Sequence, residues 1–329
     1  MPGNLPPSTI AGKPVNPIGY GMMNLTALGT VSHDDAIKSL KAAIDNGANF
    51  WNGGLFYGPP EANSLVLLKD YFTQYPKDAT KVVISIKGAY NFATLTPDCT
   101  PEGIRASVDD ALRQLGGTHP VDLFECARID PNVPVENMVK TLAELIKEGK
   151  IGSYGLSEVN ANTIRRAHAV HPCAGVEVEI SLFSRHTLEK GGIVDTCHEL
   201  GIPIIGYGVL DRGVLSGKFK TLDDIPKDDP RHHFPRFQPG NFEQNVKLAE
   251  FVQGIAKKKG VTPAHVAIAW VKQHGVLAIP GGTKATQVKE NTQEVELTDS
   301  EMAEIQEALD KYEVAGFRYP EFFAAGLNQ

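Results

Sequence analysis

A lysine closes the apolar run KVVISIK at 81–87, and there the chain first shows a residue out of keeping with its surroundings. Burying an unpaired ammonium is expensive, so the charge of Lys87 must meet a partner or a reacting group. A buried lysine can also form a Schiff base with a carbonyl substrate, which is barrel-aldolase chemistry. Other constellations carry less. RGVLSGKF at 212–219 has its glycines one residue too close for a phosphate loop, and Phe219 replaces the hydroxyl residue. His168/His171 and His232/His233 lack a third ligand in register, so no metal centre is expected. The four cysteines, Cys99, Cys126, Cys173 and Cys197, form no CxxC pair and read as free thiols of a reducing compartment.

The elements that must hold Lys87 follow a regular rhythm. Eight short strand candidates stand out: 17–21, 48–52, 81–87, 121–125, 151–155, 175–180, 203–207 and 276–280. Helical stretches separate most of them. From Asp34 to Asn46, residues Ala36, Leu40, Ala43 and Ile44 share one face. Pro101 opens a helix that stops at Gly116-Gly117, and Pro134 opens another that ends in a basic turn at Lys147–Lys150. Further helices are expected over 161–170, 190–200, 263–273 and 300–312. Strand and helix in alternation imply parallel strands, and eight such units close into a single (β/α)8 TIM barrel spanning 1–329. A doubly wound sheet is disfavoured, because no GxGxxG follows the first strand. Asp211–Gly240 is too long for a simple βα loop and reads as a lid or cofactor strap. The tail from Glu313, with Phe317, Tyr319, Phe322 and Phe323, is expected near one barrel mouth.

In such a barrel, chemistry sits at the C-terminal ends of the strands. Those ends carry Asn52 and Tyr57 after the second strand, Lys87 on the third and Ala127-Arg128 after the fourth. Ser157-Glu158 follow the fifth, Glu177 lies on the sixth, Tyr207 ends the seventh, and Gly281-Gly282-Thr283-Lys284 follow the eighth.

These residues, in this order, carry a resemblance. Asp45-x-Gly47, then Asn52 through Tyr57-Gly58, Lys87, GLS at 155–157, SLFSR at 181–185, GYGVLDRGVLSGK at 206–218 and IPGGTKATQVKEN at 279–291 resemble the aldo-keto reductase superfamily along the whole chain. NFWNGGLFYG at 49–58, DLFECARIDPNVP at 122–134 and GLSE at 155–158 look most like its pyridoxal reductase branch.

The resemblance implies NADPH-dependent hydride transfer to an aldehyde, with Tyr57 as proton donor and Lys87 lowering the pKa of that phenol. Of the family's catalytic Asp, Tyr, Lys and His, Tyr57 and Lys87 match. Asn52 replaces the Asp, and Ala127 replaces the His. Asn52 is expected to orient Lys87 while leaving its charge unbalanced, so that Lys87 acts more strongly on Tyr57 or loses its proton more easily. Ser157, Glu158 and Glu177 are expected at the nicotinamide carboxamide, with one of the two acids a candidate for protonation, and Tyr207 against the ring. Gly208, Leu210, Gly213 and Lys218 fall in the segment that would follow the cofactor. Gly281, Gly282, Thr283, Lys284, Gln287, Glu290 and Asn291 fall where the family holds the adenosine 2′-phosphate and adenine. Phe56, Ala127 and Arg128 are expected at the substrate, for which pyridoxal, reduced to pyridoxine in vitamin B6 salvage, is the first candidate. Other aldehydes, or an NADPH-binding redox sensor with little turnover, are the alternatives.

Composition agrees with a soluble globular chain. Of 329 residues, 42% are hydrophobic and 22% charged, and the net charge of −7 disfavours nucleic acid or an anionic membrane as partner. The N-terminus lacks the basic and apolar regions of a signal peptide, and no apolar run is long enough to span a bilayer. A cytoplasmic protein is expected, monomeric or weakly self-associating, with a small molecule as its partner.

Overall fold

In a computed structural model, which describes residues 8–91, 93–321 and 327, the eight expected strands all form and pair in parallel. They are β1 (Tyr20–Gly21), β2 (Phe50–Gly54), β3 (Val83–Gly88), β4 (Val121–Cys126), β5 (Ile151–Ser157), β6 (Val176–Glu179), β7 (Ile204–Tyr207) and β8 (Val276–Ala278). Parallel bridges Ile18–Ala278 and Gly21–Gly281 join the first strand region to the last, so the sheet closes into a barrel. The strands are buried on both faces because helices pack outside and side chains fill the inside. Near-continuous apolar runs such as VVISI are the consequence.

Strand periodicity sets what lies inside. Phe50, Val83, Leu123, Ile205, Leu277 and Ile279 form an apolar plug low in the barrel. A short hairpin, Thr9–Ile10 with Lys13–Pro14, closes that end with Ile10 and Val15, a feature not anticipated from the sequence. Two residues further along β2, β3 and β4, the same inward face turns polar at Asn52, Ser85 and Glu125, all buried. Intervening residues such as Trp51, Ile84 and Phe124 belong to the larger core outside the barrel.

Helices His33–Asp45, Pro101–Leu115, Val135–Lys147, Ala161–Val170, Ile193–Leu200, Pro263–Lys272 and Asp299–Lys311 agree closely with expectation. Ser64–Gln74, Asn241–Lys259 and Ala285–Asn291 are additional. The segment 211–240 is a succession of short 3-10 turns at Asp211–Ser216, Leu222–Asp224, Pro230–His233 and Pro235–Phe237. In the tail, Arg318 is buried and Phe317 is exposed, while Phe322 and Phe323 lie outside the described residues. Among the described residues no helix is long and apolar enough to cross a membrane.

Candidate active site

The turn after β2 presents Tyr57. Leu55 donates its amide to the Lys87 carbonyl at 2.9 Å, and the Tyr57 amide donates to Gly54 at 3.2 Å. Gly54 has to be small, since a Cβ there would come within 3.2 Å of the Tyr57 ring. Gly58 follows at φ +105°, a conformation open mainly to glycine, where a Cβ would also meet backbone oxygens at 2.9 Å. Phe56 packs edge-on against Tyr57, centroids 5.0 Å apart, and its ring also lies 5.4 Å from Tyr90.

Lys87 is buried, and its ammonium is fully engaged with side chains. It donates to Asn52 Oδ1 at 2.9 Å, as expected, and also to Glu177 Oε1 in a buried ion pair. Asn52 Nδ2 donates in turn to Glu177 Oε2 at 2.6 Å. The expectation of an unbalanced lysine is therefore corrected: the missing carboxylate is supplied from β6. Glu177 was expected among the cofactor contacts; here both of its oxygens serve Lys87 and Asn52. The two strands lie far apart in the sheet, but inward side chains of a small barrel meet across its interior.

This pairing sets the protonation of the pair at the mouth. Burial alone would drive the proton from Lys87, but the Glu177 carboxylate paired with it outweighs that and holds the ammonium above the ordinary lysine range. Easier deprotonation of Lys87 is thus overturned. Burial raises the Tyr57 phenol, Lys87 opposes that rise and Glu177 adds to it, leaving the phenol above its usual value. Tyr57 rests protonated, close to an ammonium that would stabilise its phenolate.

A second charged cluster lies on the β5–β7 side. Glu158, at φ +54°, accepts from the Glu179 amide at 2.8 Å and pairs with Arg318 of the tail at 2.5 Å. Arg318 also donates to Glu179 at 3.2 Å. Burial works to raise the carboxyl of Glu158, but Arg318 and Arg128 win and hold it below the ordinary range. Of the acids expected at the carboxamide, Glu158 is thus held as the carboxylate. Tyr207 and Tyr319 bring their hydroxyls to 3.0 Å, and the Lys87 ammonium lies 5.9 Å from the Tyr207 ring centroid. Arg212 stacks on Phe234 and Tyr319 at 4.2 and 4.9 Å. Arg236 donates to Asp211 at 2.5 Å and to Ser184 at 3.0 Å, and Ser184 donates to Glu179 at 2.9 Å.

Ala127 is buried at the end of β4, its amide bonded to Gly88. Arg128 beside it donates to the Ala127 carbonyl at 2.6 Å and forms no ion pair among the described residues. Burial works to lower its guanidinium, but the Glu158 carboxylate opposes that and Arg128 stays charged.

The residues expected along a cofactor fall on two segments beside this mouth. Gly208, Leu210, Gly213 and Lys218 follow β7, with Gly208 at φ +68° and Gly213 at φ +98°. After β8, Gln287 accepts from the Thr283 amide at 3.1 Å, and Asn291 donates to Gly281 at 2.9 Å. Tyr20 donates to Gly282 at 2.6 Å, and the Glu290 carbonyl lies 2.8 Å from His265. Lys284 is exposed just before helix Ala285–Asn291. One further observation bears on a nicotinamide: the buried hydroxyl of Ser157 has no hydrogen-bond partner among the described residues. Buried polar atoms are rarely left so, and a carboxamide would satisfy it.

Sequence reasoning missed Glu125, Ser85, Glu179, Arg318, Arg212 and Arg236, while Tyr319 was expected near a barrel mouth as part of the tail. Glu125 and Glu179 had a signal, since an acid inside an apolar strand requires a partner as Lys87 did. Glu179 also shares the face of Glu177, two residues away. Arg318 had none; only the fold brings it to Glu158.

The comparisons agree with this fold. Residues 17–310 match the Aldo/keto reductase family. A probable pyridoxal reductase 2 from Schizosaccharomyces pombe is 40% identical over 323 residues, covering 94% of this chain and 96% of its own. A probable aldo-keto reductase 1 from Glycine max is 37% identical over 318 residues, covering 94% and 89%. Among solved structures, a glycerol dehydrogenase from Gluconobacter oxydans superposes with a TM-score of 0.82 at 26% identity, covering 96% of this chain and 97% of that one. A closed eight-stranded barrel with tyrosine and lysine converging at its C-terminal mouth, matched over nearly its whole length, makes this chain an oxidoreductase of the aldo/keto reductase family.

Proposed function

We propose that the chain reduces an aldehyde to an alcohol with NADPH, and that its preferred substrate is an aromatic aldehyde bearing an ionised oxygen beside the carbonyl, with pyridoxal as the type. The observation that carries the substrate class is Arg128, a guanidinium near Tyr57 with no carboxylate within ion-pair distance among the described residues, next to the small Ala127. A phenolate on the substrate would complete that guanidinium with a charge-assisted hydrogen bond. The name of the Schizosaccharomyces pombe relative, a probable pyridoxal reductase, points the same way.

When bound, NADPH would supply the hydride for the carbonyl carbon. Tyr57 delivers its proton to the carbonyl oxygen, and Lys87 stabilises the phenolate left behind. Glu177 and Asn52 fix Lys87 and keep it charged throughout. Ser157 and Glu158 offer a hydroxyl and a carboxylate to the carboxamide, and Tyr207 offers its ring to the nicotinamide. Thr283 and Lys284 would meet the 2′-phosphate, with Gln287, Glu290 and Asn291 nearby, a cation being needed because the chain as a whole is acidic.

Following NADPH oxidation over a panel of aldehydes tests this reading. Pyridoxal should give a higher kcat/KM than matched aromatic aldehydes lacking the adjacent hydroxyl, and NADH should serve poorly. No turnover with any aldehyde would favour a cofactor-sensing role, and equal turnover of both classes would remove Arg128 from substrate choice.

A further inference from the structure

Beneath the Tyr57–Lys87 pair, the barrel interior holds two carboxyl groups and one ammonium. Glu125 on β4 is fully buried, accepts from Ser85 Oγ at 2.9 Å through Oε1, and leaves Oε2 without a partner among the described residues. Ser85 in turn accepts from Asn52 Nδ2 at 3.2 Å, the same amide that holds Glu177. Gly155 makes room for this acid, since a Cβ there would lie 3.0 Å from Glu125 Cγ. An unbroken chain thus runs from Glu125 through Ser85 and Asn52 to the Lys87–Glu177 pair.

The charge does not balance if both acids ionise. Lys87 is the cation that faces them, and both of the Glu177 oxygens are satisfied while one oxygen of Glu125 is not. Two carboxyls sharing one cation in a dry site separate into one charged and one neutral group. The Cys126 and Cys173 thiols also lie within electrostatic range of Glu125, and neither brings positive charge.

We propose that Glu125 is a positioning residue of this site, acting as a neutral acid that braces Ser85 and Asn52 and, when it ionises, adds a negative charge that opposes proton delivery by Tyr57. This rests on the reading of Tyr57 as proton donor. Burial and the neighbouring Glu177 push the Glu125 carboxyl up to about 8, with Lys87 pulling against them, so the transition falls in an accessible pH range. Glu125 has no exposed surface, and its influence on the site passes through charge and geometry.

Two measurements on the full chain test this. The first is an infrared titration of the unliganded protein, which needs no turnover. The wild type should show a buried protonated-carboxyl absorption that disappears with a midpoint near pH 8, and Glu125→Gln should lack it. The second is the single-turnover rate of aldehyde reduction against pH. The wild-type rate should fall about tenfold between about pH 7 and pH 9, and that of Glu125→Gln by less than about twofold over the same range. Persistence of the absorption in Glu125→Gln, or superimposable pH profiles, would overturn the proposal. A normal infrared transition in a protein that reduces no aldehyde would instead overturn the reductase reading and leave the neutral acid standing.

Discussion

Glu177 on β6 forms a buried ion pair with Lys87 on β3, reaching across the barrel to the ammonium that Asn52 also orients. Asn52 thereby does two things at once: its oxygen accepts from the lysine and its amide donates to the carboxylate. A carboxylate at position 52 would do the first and repel Glu177. Asn52 and Glu177 therefore act as a matched pair.

Replacing Glu177 by Gln should leave a buried ammonium without its counter-charge and cost about 3–5 kcal/mol of stability. Adding Asn52→Asp to that variant returns a carboxylate to the lysine and should recover most of the loss. Asn52→Asp alone sets two carboxylates side by side and should itself destabilise. Denaturant unfolding of the four proteins gives the coupling directly, and strictly additive effects would disprove the pairing.

Tyr57→Phe should bind NADPH as the wild type does while kcat falls about a hundredfold to ten-thousandfold, because only the proposed proton donor is lost. Fluorescence titration of the cofactor and steady-state rates at saturating aldehyde separate the two. A near-normal kcat would sink the assignment.

Lys284→Ala should raise the KM for NADPH about tenfold and leave that for NADH unchanged, since the lysine would meet the 2′-phosphate only. An unchanged KM for NADPH would show that the phosphate lies elsewhere.

Ala127→His should lower kcat/KM for pyridoxal by crowding the ring, while sparing or improving small aldehydes without the hydroxyl. The expected difference is about 1–3 kcal/mol, the usual cost of overpacking a fitted site. Both substrate types are measured in the same variant, so general damage to the barrel cancels. A uniform loss would make Ala127 merely structural.

Arg318→Met should destabilise the protein in a pH-dependent way. Paired with Arg318, Glu158 is held below its ordinary range, so its contribution is present above the ordinary value of 4.5 and lost as pH falls through the depressed one. Without Arg318, burial dominates, the carboxyl rises, and stability is lost as pH rises through that raised value. The deficit against the wild type should therefore grow from about pH 5 to pH 8, approaching about 3–5 kcal/mol. Urea unfolding at both pH values measures it, and a deficit that does not change with pH would refute the Glu158 pairing.

The order and period of the sequence carried the architecture. β-branched runs separated by amphipathic stretches specify eight parallel strands, because each pattern buries its apolar groups in only one secondary structure. Strand ends then located Asn52, Tyr57, Lys87, Ala127, Ser157 and Tyr207, since a barrel gathers those ends at one mouth. What the sequence alone left open is which charges meet. Lys87 announced that it needed a partner, but its partner is 90 residues away on β6. Glu158 is answered by Arg318, 160 residues on in a tail with no periodic signal of its own. Pairings of this kind depend on closure of the barrel and on where the tail crosses its mouth, and local propensity contains neither. Tertiary structure decided the charge balance of the site for that reason: Coulomb energy in a dry interior follows distance in space, and distance along the chain says little about it.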